Sequence, residues 1–237
     1  MNVILLGSQD CWLDHTTVLL NDRRAVHILE VLKPKIGDTL RVGIRDGALG
    51  TGRVVAVDGP TVKLAVQTRE PPPKRHRFEI VLSLPRPKML RRILRTVAEF
   101  GVSDLHLINS ARVEKSFWQS PLLADDKVEE ALLMGMERSR DTVAPRVHQH
   151  RLFRPFVEDR LVEICSGRPC WIAEMGSAQA LSTTASGPAV VMIGPEGGFV
   201  PFELDLAQAV IARPVHLGER LLSVDTALAA VLALGWG

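Results

Sequence analysis

The stretch "IGPEGGF", residues 193–199, places three glycines, a proline and one carboxylate directly behind an apolar run. Gly194, Gly197 and Gly198 can take left-handed backbone angles and let a ligand reach the main chain with no Cβ in the way. Recognition by backbone amides and carbonyls is the chemistry such a loop offers. It has no Lys and no Ser or Thr after its last glycine, so it lacks the phosphate-cradling pattern, and its spacing is not G-x-G-x-x-G either. A triphosphate is a poor guest for it. Glu196, its only charge, suits a ligand that is neutral or cationic at the point of contact. A tight strand-to-helix turn accounts for the same residues without any ligand.

A second group that could do chemistry is basic. In "RPKMLRRILRTVAEFG", Leu90, Ile93, Leu94, Val97 and Ala98 fall at helical spacing as one apolar stripe, and Lys88, Arg91, Arg92 and Arg95 lie largely off it. Cations on one helical face repel one another by a few tenths of a kcal/mol per close pair. A phosphate backbone, contacted mainly by Lys and Arg, would favour them; a solvated face is the alternative. Arg23, Arg24 and His27 before the strands of the β region, Arg86 at the entry to the α/β region, and Arg112 and Lys115 after the second strand of that region add cations near loop ends. With no Tyr in the chain, base stacking would fall to Phe, Trp, His or Arg.

The histidines suggest no metal. His148 and His150 share a face of a surface strand but have no identifiable third ligand, and His106 and His216 sit inside apolar strands as hydrogen-bonded core residues. Cys11, Cys165 and Cys170 are odd in number, lack paired C-x-x-C spacing, and read as core filler in a reducing compartment.

Several elements must position these groups. "PAVVMI" before the glycine loop reads as a strand buried on both faces, and "PFELDLAQAVIA" after it as a helix with Pro201 in its first turn. α/β sheets bind ligands at such strand-to-helix loops. Residues 1–70 carry short β patterns, "NVILL", "DTLRVGI", "GRVVAVD" and "TVKLAVQT", with turn signals at Asp46-Gly47 and Asp58-Gly59, and predict a small β-barrel or sandwich. "REPPPKRHR", residues 69–77, then supplies a stiff, basic linker, bounded at 71–77. From Phe78 onward strands and helices alternate, which predicts a mostly parallel sheet with helices on its faces over 78–237. The glycine loop follows a late strand of this region, whereas a dinucleotide fold carries its fingerprint after the first.

With 237 residues and 46% hydrophobic content the chain can bury a sizeable core, and a net charge of +2 means that affinity for nucleic acid depends on where the cations sit. No apolar run approaches the roughly 20 residues that cross a bilayer, and the N-terminus has no basic start or cleavage signal, so a cytoplasmic protein is expected.

Taken together, the motifs resemble the bacterial 16S rRNA uracil-N3 methyltransferases, of the SPOUT class of S-adenosylmethionine-dependent enzymes. "RRAVHILEVLKPKIGD" looks like that family's N-terminal RNA-binding segment, "AEFGV" like its first-helix ending, and "SARVEKSFW" like its basic segment after the next strand. "IGPEGGFVPFE" and "LGERLLSVDTA", in this order near the C-terminus, are its most specific markers. The resemblance implies a PUA-like β-barrel followed by an α/β domain with a C-terminal trefoil knot, homodimerisation through the C-terminal region, and methylation of N3 of uridine 1498 in the 16S rRNA of the 30S subunit.

The resemblance also implies a donor pocket. Gly194, Pro195, Glu196, Gly197 and Gly198 would form its first wall, and Leu217, Gly218, Leu221 and Leu222 its second. Met175 and Gly176 would add a third side, with Thr226 and Ala227 opening the last helix. The donor has no phosphate, in keeping with the chemistry read from the loop. Asp225 or Thr226 is a plausible N-cap of that helix.

The chain departs from the family at two places: an arginine becomes Ser223 and a glutamate becomes Asp225 in "LSVDTA", and a lysine of the first helix becomes Thr96. Arg220 and Ser223 are the candidates for the catalytic role, with Arg220 stabilising a uridine anion. The competing readings are an RNA-binding protein of the same fold with impaired catalysis, and a SPOUT enzyme acting on another rRNA or tRNA nucleotide.

Overall fold

The computed structural model describes residues 2–184 and 186–236. The chain forms two compact units, one running up to Lys74 and taking in Leu133–Ala144 as well, the other comprising Arg75–Leu132 and Pro145 onward.

The first unit is a six-stranded mixed sheet in the order β1-β4-β5-β6-β3-β2, made of β1 (Ile4–Leu6), β2 (Cys11–Trp12), β3 (Thr17–Leu20), β4 (Thr39–Ile44), β5 (Leu49–Asp58) and β6 (Thr61–Glu70). All neighbours are antiparallel except β1 and β4. The four predicted β patterns are strands β1, β4, β5 and β6. Asp46 and Gly59 take φ of 57° and 54° at the predicted turns, where Asp and Gly tolerate left-handed backbone. Alternation along β6 buries Val62, Leu64 and Val66 against Ile4, Leu6, Val18, Val42 and Val54.

The β-rich reading missed α1 (Arg23–His27) and the wider turn that continues it over Ile28–Leu32. Asp22 caps this helix, its carboxylate accepting from Arg24 N–H at 2.8 Å, while Ala25 and Ile28 are buried in the sheet's core.

Division of the chain at the linker alone also omits 133–144. Glu137 O accepts from Asn2 and Val3 N–H at 2.8 and 3.2 Å, and Thr142 Oγ1 donates to Gly47 O at 2.6 Å. A Cβ on Gly43 would lie 2.5 Å from Thr142 Cγ2, so this close approach requires glycine. Residues 71–77 have no regular structure, but their end is anchored in the second unit. Phe78 N–H donates to His76 Nδ1 at 3.0 Å, so His76 Nε2 carries the proton donated to Leu232 O at 2.9 Å.

The second unit is a six-stranded parallel sheet, order β12-β10-β11-β7-β8-β9. Its strands are β7 (Phe78–Ser83), β8 (Asp104–Ile108), β9 (Arg146–His150), β10 (Cys170–Ala173), β11 (Ala189–Ile193) and β12 (Arg213–Val215). Its helices are α2 (Pro87–Glu99), α3 (Asp125–Ser139), of which the last turns belong to the first unit, α4 (Phe153–Pro155), α5 (Leu161–Cys165), α6 (Leu181–Thr184), α7 (Pro201–Val210) and α8 (Val224–Leu234). A wide turn over Phe156–Arg160 joins α4 to α5.

β8 and β11 are buried at every position, as strands covered by helices on both faces must be. Leu90, Ile93, Leu94, Val97 and Ala98 are the buried residues of α2, and Pro201 opens α7, both as predicted.

Three expectations are corrected. Cys11 is exposed on a two-residue edge strand, while Cys165 and Cys170 are buried. His216 is half-buried just past β12 and accepts from Gly218 N–H at 3.1 Å, instead of sitting within a strand. The third partner missed beside His148 exists: Asp104, His106 and His148 converge, with His106 hydrogen-bonded in the core to Glu79 at 2.8 Å. No helix of the described residues is long and apolar enough to cross a membrane.

Candidate active site

Parallel strands end on the same side of the sheet, and in open α/β sheets ligands collect at those carboxyl ends. β10, β11 and β12 are neighbours here, and the segments leaving them line a cleft of about 430 Å³, together with Arg112 and the start of α8.

The glycine loop forms the first wall. It turns back on itself, Gly198 N–H donating to Pro195 O at 2.8 Å, with Gly198 at φ 73°. The segment after β12 forms the second, where Gly218 takes φ 128°. The segment after β10 forms the third, tied to β12 by Glu174 N–H on Val215 O at 2.9 Å, and Gly176 turns it at φ 87°.

Of the residues expected around a donor, Met175, Gly194, Pro195, Glu196, Gly197, Gly198, Leu217, Gly218, Leu221, Leu222 and Ala227 line the cleft, and so does Arg220. Gly176 and Thr226 do not. Ser223 does not line it either: it is the N-cap residue of α8, and its hydroxyl lies 2.7 Å from Asp225 Oδ1 and 2.9 Å from Thr226 Oγ1. The expected cap at Asp225 or Thr226 is thus displaced to Ser223. Asp225 occupies the first turn, where a negative charge is favoured by the helix dipole. The Ser223 hydroxyl holds its carboxyl below the usual range, with Arg92 contributing.

Two groups that the residue pattern did not single out shape the cleft. Glu174 lines it, and burial raises its carboxyl above the usual range while Arg112 pulls the other way. Glu203, on the first turn of α7, is 3% exposed and acts as a clasp. Its carboxylate accepts from Ala111 N–H at 2.7 Å and from Val200 N–H at 3.0 Å, joining the segment after β8 to the end of the glycine loop. Next to Ala111, Arg112 donates to the carbonyls of Gly197 and Gly198, so a cation expected on RNA also braces the loop and lines the cleft.

Glu203→Ala takes the carboxylate from two part-buried backbone donors, and is expected to destabilise the protein by about 1–3 kcal/mol. Urea unfolding measures this, and a loss below about 1 kcal/mol would show that the clasp holds nothing.

The remaining cations divide. In α2, Lys88, Arg91 and Arg92 are exposed and Arg95 is half-buried. Arg86 Nε lies 3.7 Å from Glu196 Oε1 and Arg92 Nη1 3.4 Å from Asp225 Oδ2, so the basic face of α2 borders the cleft. Lys115 is exposed in the short helical turn after β8. In the first unit, Arg24 is not free for a phosphate. It pairs with Asp10 and Asp22 at 2.7 Å, donates to Leu5 O at 2.7 Å, and has a side chain only 13% exposed. Arg23 pairs with Glu137 at 2.6 Å but stays half exposed, and His27 is half-buried.

The chain matches the family of the RNA methyltransferase domain over residues 72–236. It is 26% identical over 243 residues to the ribosomal RNA small subunit methyltransferase E of Treponema pallidum (strain Nichols), covering 99% of this chain and 90% of that one. It is 22% identical to ribosomal RNA small subunit methyltransferase E 1 of Borreliella burgdorferi, covering 97% and 95%.

Solved structures agree in fold. A probable rRNA-methyltransferase from Porphyromonas gingivalis superposes with a TM-score of 0.75 at 22% identity, over 100% of this chain and 96% of that one. A ribosomal RNA small subunit methyltransferase E from Neisseria gonorrhoeae, bound to S-adenosyl methionine, gives 0.76 at 20%, over 98% and 95%. With the family match spanning more than half of its length, and with a cleft at the carboxyl ends of a parallel sheet bordered by a basic helix, this chain belongs to the RNA methyltransferase family.

Proposed function

We propose that this protein uses S-adenosylmethionine to methylate N3 of uridine 1498 in the 16S rRNA of the small ribosomal subunit. The observation that carries the reading is the cleft itself: glycine backbone on one side, leucines on another, and the exposed cations of α2 along its border. Its volume of about 430 Å³ fits a small-molecule site. Its walls offer main-chain groups and apolar side chains to an adenosine and no lysine to a phosphate, which agrees with the chemistry of this donor.

When bound, the donor supplies an electrophilic methyl on a sulfonium. The uridine N3–H bond must break as the N3–C bond forms and the C–S bond opens, so a proton acceptor is required. Glu174, kept above the usual carboxylate range by burial, faces the cleft with suitable chemistry, and Arg220, which lines the same cleft, is the group we assign to stabilising the uridine anion.

On the same reading the first unit is a PUA-like RNA-binding domain, the segments forming the second and third walls are threaded as a trefoil knot, and the protein works as a cytoplasmic homodimer paired through its C-terminal region. Methylation mapping of small-subunit rRNA from cells with and without the protein tests the assignment. An unchanged uridine 1498 would reject it.

The basic face has its own test. Replacing Lys88, Arg91 and Arg92 by Gln is expected to weaken rRNA binding and to lower the slope of log affinity against log salt by roughly 0.7 to 0.9 for each phosphate no longer neutralised, with donor affinity unchanged. An unaltered slope in filter binding across a salt series would make this face a solvated surface.

A further inference from the structure

At the far end of the sheet from β12, β8 and β9 carry a second set of reactive side chains that methyl transfer does not use. Their parallel register sets Asp104 beside Arg146, His106 beside His148 and Ile108 beside His150. Residues two apart on a strand share a face, so D-x-H on β8 and H-x-H on β9 project together. Asp104 and His106 are buried, and the His148 side chain is 40% exposed at the sheet edge. One ligand atom each from Asp104, His106 and His148 lies within 4.8 Å of the other two, and Asp104 Oδ1 is 2.8 Å from His148 Nε2.

Two imidazoles and a carboxylate are a donor set that zinc accepts, usually with a fourth ligand or water. Glu79 Oε1, 2.8 Å from His106 Nε2, gives that ring the carboxylate partner that orients ligating histidines. His150 Nε2, 3.1 Å from His106 Nδ1, is a further nitrogen beside the set.

We propose that Asp104, His106 and His148 bind a divalent transition-metal ion of the zinc class, which pins the edge strand β9 to β8. Two adjustments accompany binding. The rings of His106 and His148 stack at 4.5 Å and 13°, so one must rotate about its Cβ–Cγ bond to aim a lone pair at the ion. Arg146, paired with Asp104 at 2.7 Å, must release the carboxylate, and with a side chain 74% exposed it can turn into solvent. The inference is independent of the methyl-transfer reading, because no residue of the set lines the cleft.

The test uses the full-length protein, stripped by a chelator and titrated with zinc chloride by calorimetry, with cobalt(II) as a visible-absorption probe of a tetrahedral site. One ion per chain is expected. Zinc at about 100 times its dissociation constant should raise the melting temperature by roughly 5–10 °C. His148→Gln should lose both effects while S-adenosylhomocysteine affinity is retained. Absence of binding by the natural chain, or equal binding by His148→Gln, overturns the proposal. Should His148→Gln fold poorly, the imidazole NMR signals of the natural chain decide: zinc must perturb His106 and His148, and a perturbation confined to other histidines overturns the assignment.

Discussion

Gly198→Val is expected to weaken S-adenosylhomocysteine binding by about 10- to 100-fold while the protein still unfolds cooperatively. Gly198 sits at φ 73°, where a β-branched residue is a true outlier. Holding a non-glycine residue in such a region costs of order 1–3 kcal/mol. The loop relieves that cost by leaving this conformation, and the main-chain groups facing the cleft then move.

The fold is insulated from the change, because a Cβ at this position meets nothing nearer than Arg112 Nη1 at 3.9 Å. Gly197→Ala works by a different route. Its Cβ would lie 2.8 Å from Arg112 Cδ, the flexible part of a side chain that can withdraw, so a smaller drop in affinity is expected. Isothermal calorimetry on both variants separates backbone strain from displacement of Arg112. Undiminished affinity in Gly198→Val would mean that the loop backbone does not hold the donor.

The glycine loop is legible in the sequence because its requirement is local: a buried strand, a left-handed turn and a helix beginning at Pro201 all lie within a few residues of one another. The stripe of α2 is legible for the same reason, since one helical period sorts Leu90 to Ala98 from the cations. What stays hidden depends on strand order and register.

Glu203 meets Ala111 across 92 residues because β7 and β8 continue the sheet beyond β11. Only that order turns a glutamate in a helix's first turn into a clasp. Arg112 looks like one more cation near a loop end, and nothing around it in sequence signals that glycine carbonyls 85 residues away engage it. The D-x-H and H-x-H pairs each look incomplete alone, and the in-register pairing of β8 with β9 makes them one cluster. Arg24 shows the converse. Its charge suggests a phosphate partner, but Asp10 and Asp22 fold onto it from both sides and a solvated cation becomes part of the first unit's structure.

Arg220→Ala is expected to reduce turnover by about 10²–10³, the usual effect of removing one group that stabilises developing charge, whereas Ser223→Arg should change it only modestly. Arg220 lines the cleft and Ser223 does not, although the resemblance places an arginine at position 223. Ser223 is exposed at the N-cap of α8, with its hydroxyl on Asp225 and Thr226, so an arginine side chain there can extend into solvent without displacing core residues. The substitution removes the hydroxyl from Asp225, and Arg92 at 3.4 Å remains beside that carboxylate.

On the proposed function, the cationic role near the uridine falls to Arg220, three residues earlier in the chain and in the cleft wall. A serine cannot replace the planar, charge-assisted hydrogen bonds that an arginine makes. Single-turnover methylation of purified small subunits by the natural protein and the two variants decides the matter. If the natural protein is inert and Ser223→Arg gains activity, Arg220 does not compensate, and the chain is an RNA-binding protein that has lost catalysis at position 223.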